Sequence, residues 1–365
     1  MYSANLDSDE QAVHLPTKAG RSNAKRAVFA VQFTAFLLGL GLLVFLVFWL
    51  GLQPILESLR QVGWGIIFVI ALSFARQFIR AACIYLAIPP DHRSIAYRGV
   101  LAARLGGEAV NFLSFTGPLL GDATKMALLK KQVKIAHSAA AVVIDDILYY
   151  LSVLLVILSG IALLLYVYGS GDAAMQYALV GVTGFTIFIF AGLALTVFFD
   201  IKPVSFAFRR LHDRNLLPGF LSKARQYIYD IEDNVFGFYH HRRSIFFVLI
   251  GLDFLAHVVS VFEVYVALGL LGLSATVATT YIIESLTKVI NLAFSFVPGA
   301  IGVYEGGSGV ILDLLGYTAA VGVALALVRR GGILFTTMLG LAVLLWRMIT
   351  RSSRSFTDRM VNQDS

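Results

Sequence analysis

The chain has 365 residues, of which 58% are apolar and 14% charged, with a single cysteine and a net charge of +7. Soluble domains carry about a quarter charged residues, so this composition excludes an ordinary cytosolic enzyme and calls for a polytopic membrane protein. Cys83 cannot form an intramolecular disulfide, and no histidine or cysteine spacing suggests zinc, so no metal or cofactor is expected. A basic excess in a membrane chain reflects loops facing anionic lipid rather than nucleic acid.

A spanning helix needs about 20 mostly apolar residues. Residues 27–50 form the first such run, uncharged and preceded by Lys18, Arg21, Lys25 and Arg26, so residues 1–26 are read as a cytoplasmic tail. Residues 63–88 follow, apolar except for Arg76, Gln77 and Arg80. Residues 138–168 and 173–199 form a hairpin around a short turn at Gly169, and residues 245–272 and 318–349 complete the spans. The polar stretch 200–244 holds eight basic residues (Lys202, Arg209, Arg210, Arg214, Lys223, Arg225, Arg242, Arg243) against five acidic ones, which places it in the cytoplasm as a solvated amphipathic hairpin. Trp49 and Trp64 then sit at the outer interface and Trp346 at the inner one. Residues 350–365, with Arg351, Arg354 and Arg359, return to the cytoplasm if 318–349 crosses once, unbroken at Arg329-Arg330.

Two apolar regions are too polar and too interrupted to be full spans. Residues 97–115 contain Arg104, Glu108 and Asn111 and run into Gly117-Pro118; residues 275–296 contain Glu284, Lys288 and Asn291 and run into Pro298-Gly299. Each reads as a helix broken inside the membrane and followed by a second short helix, an arrangement that survives only where protein or a wet cavity satisfies the freed backbone. An offset of 180 residues superposes the two regions: Leu72 falls on Leu252, Asn111 on Asn291 and Pro118 on Pro298. Arg104 and Glu108 become Glu284 and Lys288, the same one-turn pair with signs exchanged, and Lys125 becomes Glu305. With the N-terminus inside, 63–88 and 245–272 cross in opposite senses. The expected fold is therefore an all-α polytopic membrane domain over residues 27–349, with two inverted-topology repeats (63–199 and 245–349) joined by the 200–244 loop, each containing a broken re-entrant hairpin.

An unpaired charge at the bilayer centre costs roughly 2.5–3.5 kcal/mol on insertion scales. Asp145 and Asp146, Glu305, Arg329 and Arg330 join Arg104, Glu108, Lys125, Glu284 and Lys288 as a mixed-sign set that neutralises itself only if gathered into one interior. Asn111 and Asn291 are expected at the same cavity, with Gly117, Pro118, Pro298, Gly299 and Gly302 as the break positions. Asp253 and Glu263 are read as lying towards the ends of their span, at a vestibule or the headgroup region. Arg76 and Arg80 either snorkel or reach the cavity, and His257 is read as a packing residue. Gly302, Gly306, Gly307 and Gly309 lack the strand of a nucleotide loop and fit close helix packing instead.

At these residues the chain resembles a known family. Asn111 through Gly121-Asp122 to Lys125, then Pro298-Gly299-Ala300-Ile301-Gly302-Val303-Tyr304-Glu305, then an arginine in the last span, is similar to the flippase-type transmembrane domain of lysylphosphatidylglycerol synthases. Ala300 stands where a second glycine is usual, Lys125 where arginine is commoner, and Asp145-Asp146 where an acid is usually followed by a base. The resemblance implies a stand-alone lipid translocase of the cytoplasmic membrane, its substrate a phospholipid or a polyprenyl- or hopanoid-related lipid. It also implies that Glu305 and Arg329 or Arg330 are cavity residues and that Lys125 contacts a headgroup phosphate. The stretch after Arg347 is too short for an aminoacyl-transferase domain, so no enzyme activity is expected. An alternative is a non-transporting partner of a lipid-modifying or glycosyl-transferring enzyme, acting through the 200–244 loop. A transferase using Asp145-Asp146 lacks the nucleotide-sugar domain such chemistry needs.

Overall fold

The computed structural model describes residues 57, 60–114, 118–130, 132–169, 171, 173–199, 202, 205–206, 209–210 and 225–361. The expected first span at 27–50 and the break residue Gly117 lie outside the described residues. Every regular element among the described residues is helical.

A 3-10 turn at Gly63–Gly65 leads into α1 (Ile66–Ala87). That helix stops at Ile88, whose backbone is extended because Pro89 disfavours the helical conformation before it. Next come α2 (Tyr97–Leu113) and α3 (Pro118–Leu129), the latter opened by a proline whose missing N–H costs nothing in a first turn. The long helix α4 (Ile135–Tyr168) ends at Gly169, whose φ of 75° suits a residue without a Cβ. After α5 (Ala173–Phe198) and α6 (Arg225–His241), α7 (Arg243–Leu270) precedes α8 (Val277–Ala293), whose first turn is capped by Thr276 accepting from the Thr279 N–H at 3.1 Å. A 3-10 turn at Pro298–Ala300, α9 (Val303–Leu314) and α10 (Ala319–Val361) complete the chain.

Among the described residues, five helical stretches are long and apolar enough to cross a membrane: Arg60–Ala87, Ile135–Tyr168, Met175–Phe198, Arg243–Leu270 and Ala319–Arg347. At 1.5 Å per residue, α2 and α8 reach about 26 Å and α3 and α9 about 18 Å, short of a hydrocarbon core of about 30 Å. The short helices match in size: α2 and α8 have 17 residues each, beginning at Tyr97 and Val277, and α3 and α9 have 12 each. The last span is one uninterrupted helix through Arg329-Arg330, as expected, but it runs to Val361 rather than stopping at 349.

Small residues set the packing. A Cβ at Gly107 would lie 2.8 Å from the Gly121 carbonyl, and one at Gly121 the same distance from the Gly107 carbonyl, so α2 and α3 meet backbone to backbone there. On α10, a Cβ at Gly322 would overlap Ser308 of α9, one at Gly332 would overlap Ser73 of α1, and one at Gly340 would overlap the Leu105 carbonyl of α2. Gly307 is likewise closed off by Ile290, in keeping with the helix-packing reading of that glycine run.

Two larger apolar clusters and a smaller one around Val153, Ile157 and Ile161 of α4 form among the described residues. One gathers Cys83 and Ile84 of α1 and Ile88 just beyond it with Val142 and Leu148 of α4, Phe236 and Phe238 of α6 and Leu249 of α7. The other gathers Val69 of α1 with Val264 and Leu268 of α7, Ile282 of α8, Leu312 of α9 and Leu325 of α10. Along both α1 and α7 the polar residues fall between the two larger clusters. The 200–244 stretch departs from the expected solvated hairpin: α6 buries Val235, Phe236 and Phe238, because an apolar stripe of that width has a bundle to cover it. Just beyond α6, Arg242 donates to the Ala87 and Leu86 carbonyls at 2.9 and 3.0 Å, capping the C-terminal end of α1.

Candidate functional site

Ser73, Arg76, Gln77 and Arg80 recur at helical spacing and share one face of α1, and Asp253, His257, Ser260 and Glu263 do the same on α7. The two helices pack together, so the stripes interdigitate. Ser73 donates to Glu263 at 3.0 Å, Arg76 donates to Ser260 at 2.7 Å and lies 3.4 Å from Glu263, and Arg80 donates to Asp253 at 3.1 Å. Burying such charges is tolerable only because they are paired and hydrogen-bonded.

From this seam two ion-pair networks spread. The first runs through Asp145, which accepts from Arg80 at 2.8 Å and from Arg104 at 3.2 Å. Arg104 also donates to Gln77 at 3.0 Å and pairs with Glu108 at 3.4 Å. Lys125 closes this branch, 3.0 Å from Glu108 and 2.9 Å from Asp122. Arg80 lies over the Tyr149 ring at 3.7 Å, a cation–π contact in a water-poor setting.

The second network centres on Arg329, which donates to Glu263 at 3.2 Å, to the Tyr304 hydroxyl at 2.8 Å and to Ser260 at 3.2 Å, and pairs with Glu284 at 2.8 Å. Glu284 also accepts from Lys288 and from Ser260, each at 2.7 Å. One residue on, Arg330 points elsewhere. It pairs with Glu305 and donates to the carbonyls of Gly299 and Ala300 at 2.6 and 3.1 Å. Glu305 in turn accepts from the Gly302 N–H at 2.7 Å, capping α9. The chain break before α9 has left-handed φ at Gly299 (56°), Ala300 (49°) and Gly302 (79°), so Arg330 binds the carbonyls that this non-helical turn frees.

Between the networks lies a cavity of about 410 Å³. Of the residues expected there, Arg104, Glu108, Asn111, Lys125, Asp146, Glu284, Lys288, Asn291, Arg329 and Arg330 line it, as do Pro118 and Gly299 from the two breaks. Asp145 stands behind the wall, buried between Arg80 and Arg104. Glu305 and Pro298 are buried at the break and do not line the cavity. Among the described residues Asp146 is the one cavity carboxylate with neither an ion pair nor a hydrogen bond at contact distance; Lys125 and Arg80 act on it only from further away.

Asp253 and Glu263 overturn the vestibule expectation. Both are fully buried within the networks, because the arginines facing them from α1 and α10 hold them in the interior. Arg76 and Arg80 turn inward to the cavity rather than snorkelling. The signal for all four was the polar stripe recurring along otherwise apolar helices. His257 meets Ser152 at 2.9 Å; the serine already donates to the Tyr149 carbonyl at 2.7 Å, so Nε2 of the imidazole donates to the serine. Cys83, Asp145 and Asp253 bring ligand atoms within 4.8 Å of one another, but Arg80 and Arg104 already occupy the carboxylates, which does not suit a divalent ion.

A family model described as lysylphosphatidylglycerol synthase TM region matches residues 36–340. No curated protein and no solved structure matches the chain.

Proposed function

The chain belongs to the lysylphosphatidylglycerol synthase TM region family, and from that premise we propose that this multi-pass membrane protein translocates a lipid by passing its headgroup through the mixed-charge cavity. The observation that carries the reading is a cavity of about 410 Å³ lined by both ion-pair networks and touched by both chain breaks. That volume falls within the roughly 300–1,000 Å³ of small-ligand sites, enough for a headgroup while the acyl chains stay in the bilayer. Arginine and lysine on the α8–α10 side suit a headgroup phosphate.

In this reading α2–α3 and α8–α9 are re-entrant hairpins of two inverted repeats that rock to expose the cavity to each face in turn. Their matched lengths and the exchanged signs of Arg104/Glu108 and Glu284/Lys288 support it. The basic 200–244 stretch and both termini then lie in the cytoplasm, and the membrane is the cytoplasmic one.

Reconstitution in vesicles with tail-labelled fluorescent phosphatidylglycerol tests this. Lys288→Gln and Arg76→Gln are the variants of choice, since Glu284 keeps Arg329 and Ser260, and Glu263 keeps Arg329 and Ser73. The double variant is expected to fold and to lose most leaflet-to-leaflet transfer of the probe. Transfer at the wild-type rate would remove the cavity from the route.

A further inference from the structure

The charges around the cavity are unevenly shared. The network holding Arg80, Arg104 and Lys125 contains the carboxylates of Glu108, Asp122, Asp145 and Asp253, and Asp146 stands beside it: five acids against three bases. The other holds Arg76, Lys288, Arg329 and Arg330 against Glu263, Glu284 and Glu305: four bases against three acids. One end of the cavity therefore carries excess negative charge at membrane depth, where an uncompensated charge is costly. Asp146 is where that excess is least compensated, because each of the other four acids has a cation in ion-pair contact.

The surroundings of Asp146 narrow what can compensate it. Asp122 and Lys125 face it from α3, Arg80 from α1, and Asp145 from its own helix. Tyr149 and Tyr150 of α4 line the same cavity, as do Glu108 and Arg104 of α2. α7 contributes His257 to the cavity wall and Asp253 behind it, and α8 contributes Glu284 and Lys288. α5 brings no charged side chain, and Asp233 and His241 of α6 line a separate cavity with His137. Lys125, the cation facing it from α3, is already held by Glu108 and Asp122.

We propose that Asp146 is a proton-binding site whose occupancy couples proton movement to headgroup movement through the cavity. The inference rests on the translocation reading of the same cavity. A proton taken from water on one side neutralises the Asp146 carboxylate and lowers the repulsion that an anionic headgroup meets at the acidic end. The headgroup then passes from the Lys288 and Arg329 end to the Arg104 and Lys125 end, and Asp146 returns its proton to water on the other side. Proton and anionic headgroup travel together, so the step moves no net charge.

The test uses the full chain in phosphatidylcholine vesicles carrying tail-labelled phosphatidylglycerol, with a pH difference imposed across the membrane and protein-free vesicles as baseline. One proton per headgroup predicts that the probe gathers in the leaflet facing the alkaline side, with a leaflet ratio shifted by up to about tenfold for one pH unit. Asp146→Asn is expected to abolish that shift, and Asp146→Glu, which keeps the carboxyl group, to retain it. Wild-type transfer that ignores the pH difference, or follows a sodium gradient instead, overturns the coupling and leaves the translocation reading standing. An Asn variant that responds like wild type overturns the assignment to Asp146. If no probe moves, the translocation reading fails, and a pH-sensitive dye trapped inside the vesicles decides the site alone. Proton entry present in wild type and lost in Asp146→Asn sustains it, and equal entry in both ends it.

Discussion

Replacing Glu305 by alanine leaves Arg330 as a buried guanidinium with two backbone carbonyls and no counter-ion, and removes the acceptor of the Gly302 N–H. Breaking one side of a buried ion pair costs about 3–5 kcal/mol, and the retained carbonyl bonds put Glu305→Ala near the lower figure. Glu305→Gln keeps an acceptor for Gly302 and loses the charge, a cost of about 1–3 kcal/mol. Arg330→Met in the Glu305→Ala background removes the stranded charge, so the double variant is expected to be more stable than Glu305→Ala alone. Unfolding of the purified protein in a fixed detergent, followed by tryptophan fluorescence, compares wild type, Glu305→Ala, Arg330→Met and the double variant as a double-mutant cycle. Costs that simply add would refute the pairing as the element that closes the break.

Two further outcomes follow from the packing. Asp145→Asn leaves Arg80 with Asp253 and Arg104 with Glu108, so the same unfolding measurement should show a loss of about 3 kcal/mol, and the single variant should be rescued in part by Arg104→Met. Gly332→Leu forces α10 away from Ser73 of α1 and should cost about 1–3 kcal/mol, whereas the same change at Gly184, where the space beside the glycine is open, should leave stability nearly unchanged.

Much of the site was legible because charge is rare in an apolar chain. Arg104, Glu108, Glu284 and Lys288 stood out as one-turn pairs, and both pairs form, at 3.4 and 2.7 Å. The breaks at Pro118 and Pro298 were readable from the stereochemistry of proline itself. The partners were not. Nothing in the spacing says that Arg329 reaches α7 and α8 while Arg330 turns back to α9; successive side chains diverge by about 100° on a helix, and only the packing decides what each meets. Asp253 and Glu263 were misplaced because position along a span was used as a proxy for depth, when the matching arginines on α1 and α10 set their surroundings. The docking of α6 was hidden for a related reason: basic residues dominate the 200–244 stretch as a whole, and the buried phenylalanines of α6 show only once a bundle lies beneath them.

Because α10 runs unbroken past both pairs of short helices, it acts as a single stiff spar. Arg330 grips the turn before α9, and ten residues further along the same rod Gly340 presses against the backbone of α2. Neither the turn before α9 nor α2 can shift without loading that rod, so deformation at one is felt at the other through solid material rather than through a loop. A lesion at Gly340 would therefore disturb the geometry around Gly299 as well.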